Sequence, residues 1–351
     1  MTVRMKDIAE DLGLSVVTVS KVLRNHPDIG DETRRRVLQR MKELDYQPNL
    51  AARSLVMGQT WTLGLVVPDL LHPFFATIAK AISTEIREQG YSLLISSSDD
   101  DPELEVQEIQ QLLARRVDVL MVASTQLSGD GFRRLEERKT PYVLLDRRLP
   151  GLDAHFIGTD DETVGFLATT HLLEQGCRRI AHIRGPKIST AIGRLQGYRR
   201  ALASHEMAPL PGHIVSLGQS GDHRGVESGY EAARSLLATS PRPDGIFCFN
   251  DPCAMGTMRA ILEAELRIPE DLAVIGCGNL SYSDLLRVPL SSVDQGSETI
   301  GKRAAALALE LAEKKRGQPP KHELVEPHLV ARASSQRLSS AGQASGRSLK
   351  K

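Results

Sequence analysis

The sequence predicts an α/β protein in which an all-α headpiece precedes two doubly wound lobes built on parallel sheets. From Trp61 onward, short apolar runs alternate with amphipathic helical patterns, which is typical of βαβ units. Residues 1–47 show closely spaced helical patterns and no convincing strand. Leu63–Val67 and Ile180–Ile183 each lead into an amphipathic helix, and this likeness predicts two similar lobes in tandem. The predicted strands are Thr62–Pro68, Ser92–Ser96, Val117–Ala123, Tyr142–Leu145, His155–Gly158, Arg179–Arg184, Ile214–Leu217, Gly245–Phe249 and Ala273–Gly276.

The length of 351 residues suits two or three domains. We divide the chain into a headpiece (1–47), a hinge and linker (48–60), a two-lobed body (61–335) and a tail (336–351). The tail is rich in Ser, Gly, Arg and Lys and poor in apolar residues, so we expect it to be disordered.

Composition excludes several classes of protein. The formal net charge is zero, so any affinity for nucleic acid must come from a local patch. No apolar stretch approaches the ~20 residues that cross a bilayer, and the N-terminus has no apolar signal-peptide core. The scattered cysteines form no metal-binding pair, so we expect buried reduced thiols, no metal, no cofactor and a cytoplasmic location. They are Cys177, Cys248, Cys253 and Cys277.

The headpiece has the pattern of a helix-turn-helix. Helices are predicted over Met5–Leu12 and Val16–Leu23, with a turn at Gly13 and Ser15 as the N-cap of the second helix. In such a motif the second helix enters the DNA major groove. A third helix is predicted from about Glu32 to Asp45. Its predicted core face consists of Val37, Leu38, Met41 and Leu44.

The second helix should bury Val19, Val22 and Leu23 and leave Val16, Val17, Ser20 and Lys21 toward solvent or DNA. Exposed β-branched side chains suit thymine methyl groups, and Lys21 can donate to guanine or to a phosphate. The alternative is a plain helical bundle with two solvent-exposed valines. Arg34–Arg36 are likewise either a solvated face or phosphate contacts. Residues 1–60 carry ten Lys/Arg against eight Asp/Glu, a net of +2, so affinity must depend on placement and dimerisation.

Three runs together form a specific pattern: Met5–Ala9, Gly13–Leu23 and Tyr46–Leu55. In them the chain resembles the lactose-repressor/galactose-repressor (LacI/GalR) family, and the resemblance extends over nearly the whole length. It implies a headpiece, a hinge helix and a periplasmic-binding-protein-like sensor, with three partners: a near-palindromic double-stranded operator, a second copy of the chain and a small-molecule effector. The residues thereby predicted to contact DNA are Ser15, Val16, Val17, Thr18, Ser20, Lys21, Asn49, Ala52 and Leu55.

The segment from Pro48 to Gly58 suits a short hinge helix. Asn49 can cap it, Ala52 is small enough for two such helices to touch, and Leu55 can wedge into a minor-groove step and kink the duplex. Such a helix is shorter than the ~12–15 residues that are stable alone in water. We therefore expect it to fold only on DNA, beside the hinge helix of a dimer mate.

Polar residues follow the predicted strands, at the edge where doubly wound sheets bind ligands. They include Asp69, His72–Phe75, Ser96–Asp99, Ser124, Thr125, Asp146, Arg147, Thr159, Asp160, Asn250, Asp251, Gly278 and Asn279, with Arg194 at the start of a helix. Among these and nearby residues, the resemblance selects as effector contacts Phe74, Phe75, Asp146, Arg194, Asn250, Asp251 and Gln295.

Two positions depart from the family pattern. Gly278 stands where relatives commonly have an aspartate that accepts hydrogen bonds from sugar hydroxyls. Arg224 falls near the position of an aromatic ring that stacks on the ligand, and we include it among the predicted effector contacts. A lost carboxylate and a gained guanidinium would make the cleft more cationic, and arginine pairs well with carboxylate or phosphate. We therefore expect a sugar acid or sugar phosphate if Arg224 faces the cleft, and a neutral sugar if it faces solvent.

Three other classes of function compete with a regulator. An enzyme is disfavoured because the sequence has no Gly-Lys-Ser/Thr phosphate loop, no Gly-x-Ser-x-Gly motif and no metal-spaced histidine pair. A secreted solute-binding protein would not carry the DNA-binding head, and a purely architectural DNA-binding protein would not need the large body. The sequence therefore predicts a non-enzymatic repressor whose operator and effector affinities are coupled reciprocally.

Overall fold

The computed structural model describes residues 3–23, 26–46, 54, 57–132, 135, 137, 139–217, 224–314 and 318–337. The chain divides between Thr60 and Trp61 into two compact units. The predicted hinge residues Asn49, Ala52 and Leu55 lie outside the described residues.

The headpiece contains three helices: α1 (Met5–Leu12), α2 (Val16–Leu23) and α3 (Asp31–Glu43). Gly13 ends α1 in the left-handed conformation, with φ of +65°, so the chain turns directly toward α2. The three helices bury a common core of Ile8, Ala9, Val19, Val22, Val37 and Met41. The predicted core face of α3 is wrong at Leu38, which is 50% exposed because it follows Val37 around the helix and points away from α1 and α2.

Lobe 1 of the body begins with β1 (Thr62–Val67), α4 (Pro73–Glu88), β2 (Ser92–Ser97), α5 (Pro102–Ala114), β3 (Val119–Val122), β4 (Tyr142–Leu145) and β5 (His155–Thr159). Lobe 2 consists of α6 (Asp161–Glu174), β6 (Ile180–Arg184), α7 (Ser189–Ser204), β7 (Ile214–Ser216), α8 (Gly225–Leu237), β8 (Gly245–Cys248), α9 (Asp251–Glu263), β9 (Ala273–Cys277) and β10 (Ser291–Asp294). Then α10 (Ser297–Lys314) and β11 (His322–Val325) return to lobe 1, and β12 (His328–Val330) joins lobe 2.

The strands form two six-stranded sheets, in the orders β11-β5-β4-β3-β1-β2 and β12-β10-β9-β8-β6-β7. All pairings are parallel except that of β10 with β12. The predicted α/β class and the nine predicted strands are confirmed. Sequence analysis missed β10, β11 and β12, which are short and rich in polar residues. The chain passes between the lobes after β5, after β10 and before β12, so three segments join them.

The predicted tail begins slightly too early. Arg337 is still part of the packed body, because its guanidinium donates to the carbonyl oxygens of Pro269, at 3.1 Å, and Asp244, at 2.6 Å. All four cysteines are buried and form no disulfide. Among the described residues, no helix is long and apolar enough to cross a membrane.

Candidate DNA-binding surface and effector cleft

The start of α2 presents an apolar surface to solvent. Val16 is 42% exposed and Val17 is 62% exposed, whereas Val19 is fully buried. The Ser15 hydroxyl accepts a hydrogen bond from the backbone N–H of Thr18 at 3.0 Å, so it caps α2 as the sequence predicts. Solvent-facing β-branched residues at the first turn of the second helix form a surface that suits thymine methyl groups in a major groove.

Lys21 is engaged within the headpiece. Its Nζ lies 2.6 Å from Oδ2 of Asp28, and His26 Nδ1 lies 2.5 Å from the other carboxylate oxygen. The hydrogen bond from Lys21, helped by His26, lowers the pKa of Asp28. A DNA contact by Lys21 would therefore replace an existing surface ion pair, and such exposed pairs contribute little to stability.

The three arginines that open α3 contact the protein. Arg34 donates to the carbonyl oxygen of His26 at 2.9 Å, and Arg36 donates to that of Leu12 at 3.3 Å. Arg35 pairs with Glu32. These contacts tie the ends of α1 and α2 to α3, so the run of charge is at least partly structural.

A narrow cavity, here called the inner compartment, lies between the lobes at the carboxyl ends of their strands. Six of the eight predicted effector contacts line it, namely Phe74, Phe75, Asp146, Arg194, Asn250 and Gln295. The remaining lining residues are His72, Arg147, Thr190, Phe249, Cys277 and Gly278. Of these, Thr190, Phe249 and Cys277 were missed by sequence analysis. Phe249 directly follows a strand and Cys277 ends one, which is the signal that could have found them.

Arg194 lines the inner compartment, and hydrogen bonds fix the position of its guanidinium. Its Nε donates to Oδ1 of Asp161 at 3.0 Å, and its Nη1 donates to the carbonyl oxygen of Phe249 at 2.7 Å. The guanidinium also lies 4.7 Å from the centre of the Phe249 ring. A Cβ at Gly165 would overlap the carbonyl oxygen of Arg194. Only glycine at that position lets α6 approach α7 closely enough to form the pair.

The carboxylate beside Arg194 holds a proton unusually well. Burial raises the pKa of Asp161 to about 7, with a contribution from the nearby Asp146 and against the attraction of Arg194. On the opposite wall, Arg147 lies 3.5 Å from Asp100 and 3.9 Å from Asp146. Each buried arginine of the inner compartment therefore lies within hydrogen-bonding or ion-pairing distance of a protein carboxyl group.

The side chain of Gln295 lines the cavity and includes a buried donor. The side chain is 4% exposed, and among the described residues its Nε2 has no hydrogen-bond partner. Its Oε1 accepts from the thiol of Cys277 at 3.3 Å, and burial raises the pKa of that thiol, which keeps it protonated. A buried amide nitrogen without a partner costs free energy, and a ligand oxygen in the cavity would recover it.

Two hydrogen-bonding contacts cross the cleft. Nδ2 of Asn250 lies 3.4 Å from Nε2 of His72, and the backbone N–H of Arg148 donates to the Ser189 hydroxyl at 2.8 Å. The first contact joins the start of α4 in lobe 1 to the start of α9 in lobe 2. The second joins the segment after β4 in lobe 1 to the start of α7 in lobe 2. The inner compartment is thus enclosed by contacts that depend on the angle between the lobes.

The other two predicted effector contacts lie elsewhere. Asp251 is fully buried, and its carboxylate accepts from Leu280 N at 2.9 Å, from Ser283 and from Ser292. It thereby secures the loop between β9 and β10 and is absent from the cavity wall. Arg224, just before α8, is exposed and does not line the inner compartment. Gly278 lines the cavity with φ of +128°, a conformation that disfavours a side chain there.

Comparison with known proteins places these features in context. Residues 4–49 match the family described as bacterial regulatory proteins, lacI family, and residues 169–335 match a periplasmic binding protein-like domain. The ribose operon repressor of Halalkalibacterium halodurans is 33% identical over 89% of this chain and 91% of its own length. The regulator GalR of Escherichia coli is 34% identical over 94% of this chain and 95% of its own length.

Solved structures of transcriptional regulators are also similar to this chain. The lac repressor dimer bound to operator and an anti-inducer superimposes with a TM-score of 0.83, 26% identity and coverage of 96% of this chain and 100% of that one. A complex of the regulator CelR with cellobiose superimposes with a TM-score of 0.71 and 28% identity, and the match covers 95% of this chain and 99% of that one. A helix-turn-helix head, a two-lobed body with a cleft, and relatives matched over nearly their full length lead to one conclusion: this chain is a DNA-binding transcriptional regulator that belongs to the LacI family.

Proposed function

We propose that the protein is a cytoplasmic, homodimeric repressor whose operator affinity is controlled by a sugar-like metabolite bound in the inner compartment. The observation that carries the proposal is the convergence of six predicted contact residues from both lobes on one cavity. In this proposal two headpieces place α2 in successive major grooves of a near-palindromic operator, and the effector binds without turnover.

The chemistry of the inner compartment suits a polyhydroxylated ring. Phe74 and Phe75 meet edge to face, with centroids 5.2 Å apart, and supply an apolar wall for the C–H face of a sugar. Arg194 and Gln295 supply donors, and Asp146 supplies an acceptor. Mixed donors and acceptors beside an aromatic wall match adjacent hydroxyl groups, which both donate and accept.

An acidic effector held by Arg224 has no support from the cavity, because Arg224 lies outside it. The two arginines inside are already paired, Arg194 with Asp161 and Arg147 with Asp100. A bare anion at these arginines would also lie close to the carboxyl groups of Asp161 and Asp100. The inner compartment therefore favours the uncharged part of an effector.

Coupling between effector and operator follows from linkage. A ligand that binds one lobe angle more tightly than another shifts the population toward that angle. The contacts from His72 to Asn250 and from Arg148 to Ser189 break or form with the angle, so they set the difference between the two states. If ligand binding changes operator affinity by some factor, operator binding changes ligand affinity by the same factor.

The test begins with an operator selected in vitro from random duplexes by the full-length protein. Fluorescence anisotropy then measures operator affinity with and without ribose, galactose, glucose, cellobiose and the purine bases. We expect one sugar to change operator affinity by fivefold or more, and expect Gln295→Leu to reduce that response while leaving ligand-free operator affinity unchanged. Response to a purine base but to no sugar, or chemical conversion of the sugar in the same samples, would contradict the proposal.

A further inference from the structure

A second cavity opens beside the inner compartment. This outer compartment is wider than the inner one and is bordered by Asp100 and Thr125 of lobe 1 and by Arg184, Lys187 and Ser216 of lobe 2. Arg147 lines both cavities, so the two are adjacent across a single side chain. A ligand that occupied both cavities would have to pass Arg147, whose side chain is 4% exposed.

The outer compartment carries positive charge that the described residues do not neutralise. The charge of Asp100 is directed to Arg147, at 3.5 Å. Arg184 donates from Nε to the Ser216 hydroxyl at 2.6 Å, a neutral partner. Within the described part of the chain, neither Arg184 nor Lys187 forms an ion pair with a carboxylate.

Local packing fixes the backbone that carries these two cations. Arg184 ends β6, and Gly185 lets the chain leave the strand against Phe249, since a Cβ at Gly185 would lie 2.6 Å from that ring. The next turn closes by a hydrogen bond from Ile188 N to the carbonyl oxygen of Pro186 at 2.8 Å. Helix α7 begins directly afterwards, and the partial positive charge of its start adds to that of Lys187.

We propose that the outer compartment binds the anionic group, a phosphate or a carboxylate, of a sugar derivative whose ring lies in the inner compartment. This proposal rests on the proposed function and specifies its effector class. Arg184 and Lys187, which form no ion pair among the described residues, attract the anion, and Arg194 and Arg147 contact the uncharged ring. The anionic preference thus arises from the β6–α7 loop and not from Arg224.

The experiment compares neutral sugars with their charged derivatives by isothermal titration calorimetry of the full-length protein. The probes are glucose with glucose 6-phosphate and glucuronate, galactose with galactose 6-phosphate and galacturonate, and ribose with ribose 5-phosphate. We expect at least one charged derivative to bind tenfold or more tightly than its parent, equivalent to about 1.4 kcal/mol. The preference should weaken as salt rises, whereas the affinity of the parent should not. Comparison of the phosphate and carboxylate arms identifies which anion is bound.

Two variants locate the effect. Lys187 is exposed, so Lys187→Met should fold normally, and we expect it to remove most of the charge preference while leaving the affinity for the parent sugar unchanged. The matched control is Lys139→Met. Lys139 is also exposed, but it lies in the turn before β4, at the opposite edge of the sheet from the cleft.

The proposal is overturned if no charged derivative binds more tightly than its parent, or if Lys187→Met weakens parent and derivative equally. The proposed function is judged separately, by the operator response. A neutral sugar that changes operator affinity while its charged derivatives bind no better would refute this inference and leave the regulator intact.

Discussion

Replacement of Arg194 by methionine should destabilise the body strongly, because it leaves two buried acceptors without a donor. Methionine preserves much of the volume but removes the bonds to Asp161 and to the Phe249 carbonyl. The side chains of Arg194 and Asp161 are 4% and 12% exposed, so water screens them little. Removing one partner of a buried pair typically costs about 3–5 kcal/mol. Since Asp161 already has a pKa of about 7, it can bind a proton and so avoid a buried unpaired charge. We therefore expect Arg194→Met to lower the free energy of unfolding by about 3 kcal/mol, the lower end of that range.

The assay is urea unfolding at pH 8, followed by far-UV circular dichroism, on Arg194→Met, Asp161→Asn and the double variant. We expect the double variant to lose at least about 1 kcal/mol less than the sum of the single losses, because an amide at position 161 no longer requires a counter-charge. The chain offers a matched control on the same two helices. Arg200 pairs with Glu162, but these side chains are 49% and 39% exposed, so Arg200→Met should cost about 0–1 kcal/mol. The reasoning fails if Arg194→Met costs no more than Arg200→Met, or if the two single losses simply add.

Three further predictions concern separate parts of the molecule. Val17→Ala should leave the melting temperature unchanged, since Val17 is largely exposed, but should weaken binding to the selected operator by about 1–2 kcal/mol in anisotropy titrations; unchanged operator affinity would remove Val17 from the interface. The pKa of Asp161 is about 7, above its ordinary value near 3.8, so between these pH values the folded state binds more protons than the unfolded state. The contribution of Asp161 to the free energy of unfolding therefore falls as pH rises through that window. Asp161→Asn should flatten that dependence in urea titrations from pH 4.5 to 7.5, and an identical pH profile would refute the assignment. Gln295→Leu should leave the ligand-free protein as stable as the parent or more so, because an unpartnered buried amide disappears; a clear loss of stability in thermal melts would show that Nε2 has a partner after all.

Local patterns were sufficient where the physical cause is local. Alternation of apolar runs with helical patterns predicted the central strands because a parallel strand buried on both faces must be apolar regardless of its neighbours. The edge strands β2 and β7 are only partly buried, and their apolar residues were still sufficient to predict them. Gly13 and Ser15 predicted the turn and the start of α2 because a left-handed φ and a capping hydroxyl are properties of single residues. The polar residues after strands likewise indicated the cleft, since carboxyl ends of parallel strands share one edge.

Only the tertiary structure decided what depends on distant partners. The strands β10, β11 and β12 are polar and short, and they form because strands far along the chain offer them hydrogen bonds. Asn250 and Asp251 are adjacent in sequence, yet one lines the cleft and the other secures a loop, because a helix start turns successive side chains in different directions. The sequence by itself therefore determined the family, the fold class and the edge where the cleft lies. Which arginines lie beside a carboxyl group was decided by contacts between residues that are remote in the chain, such as Arg194 with Asp161 and Arg147 with Asp100, and no local pattern encodes them.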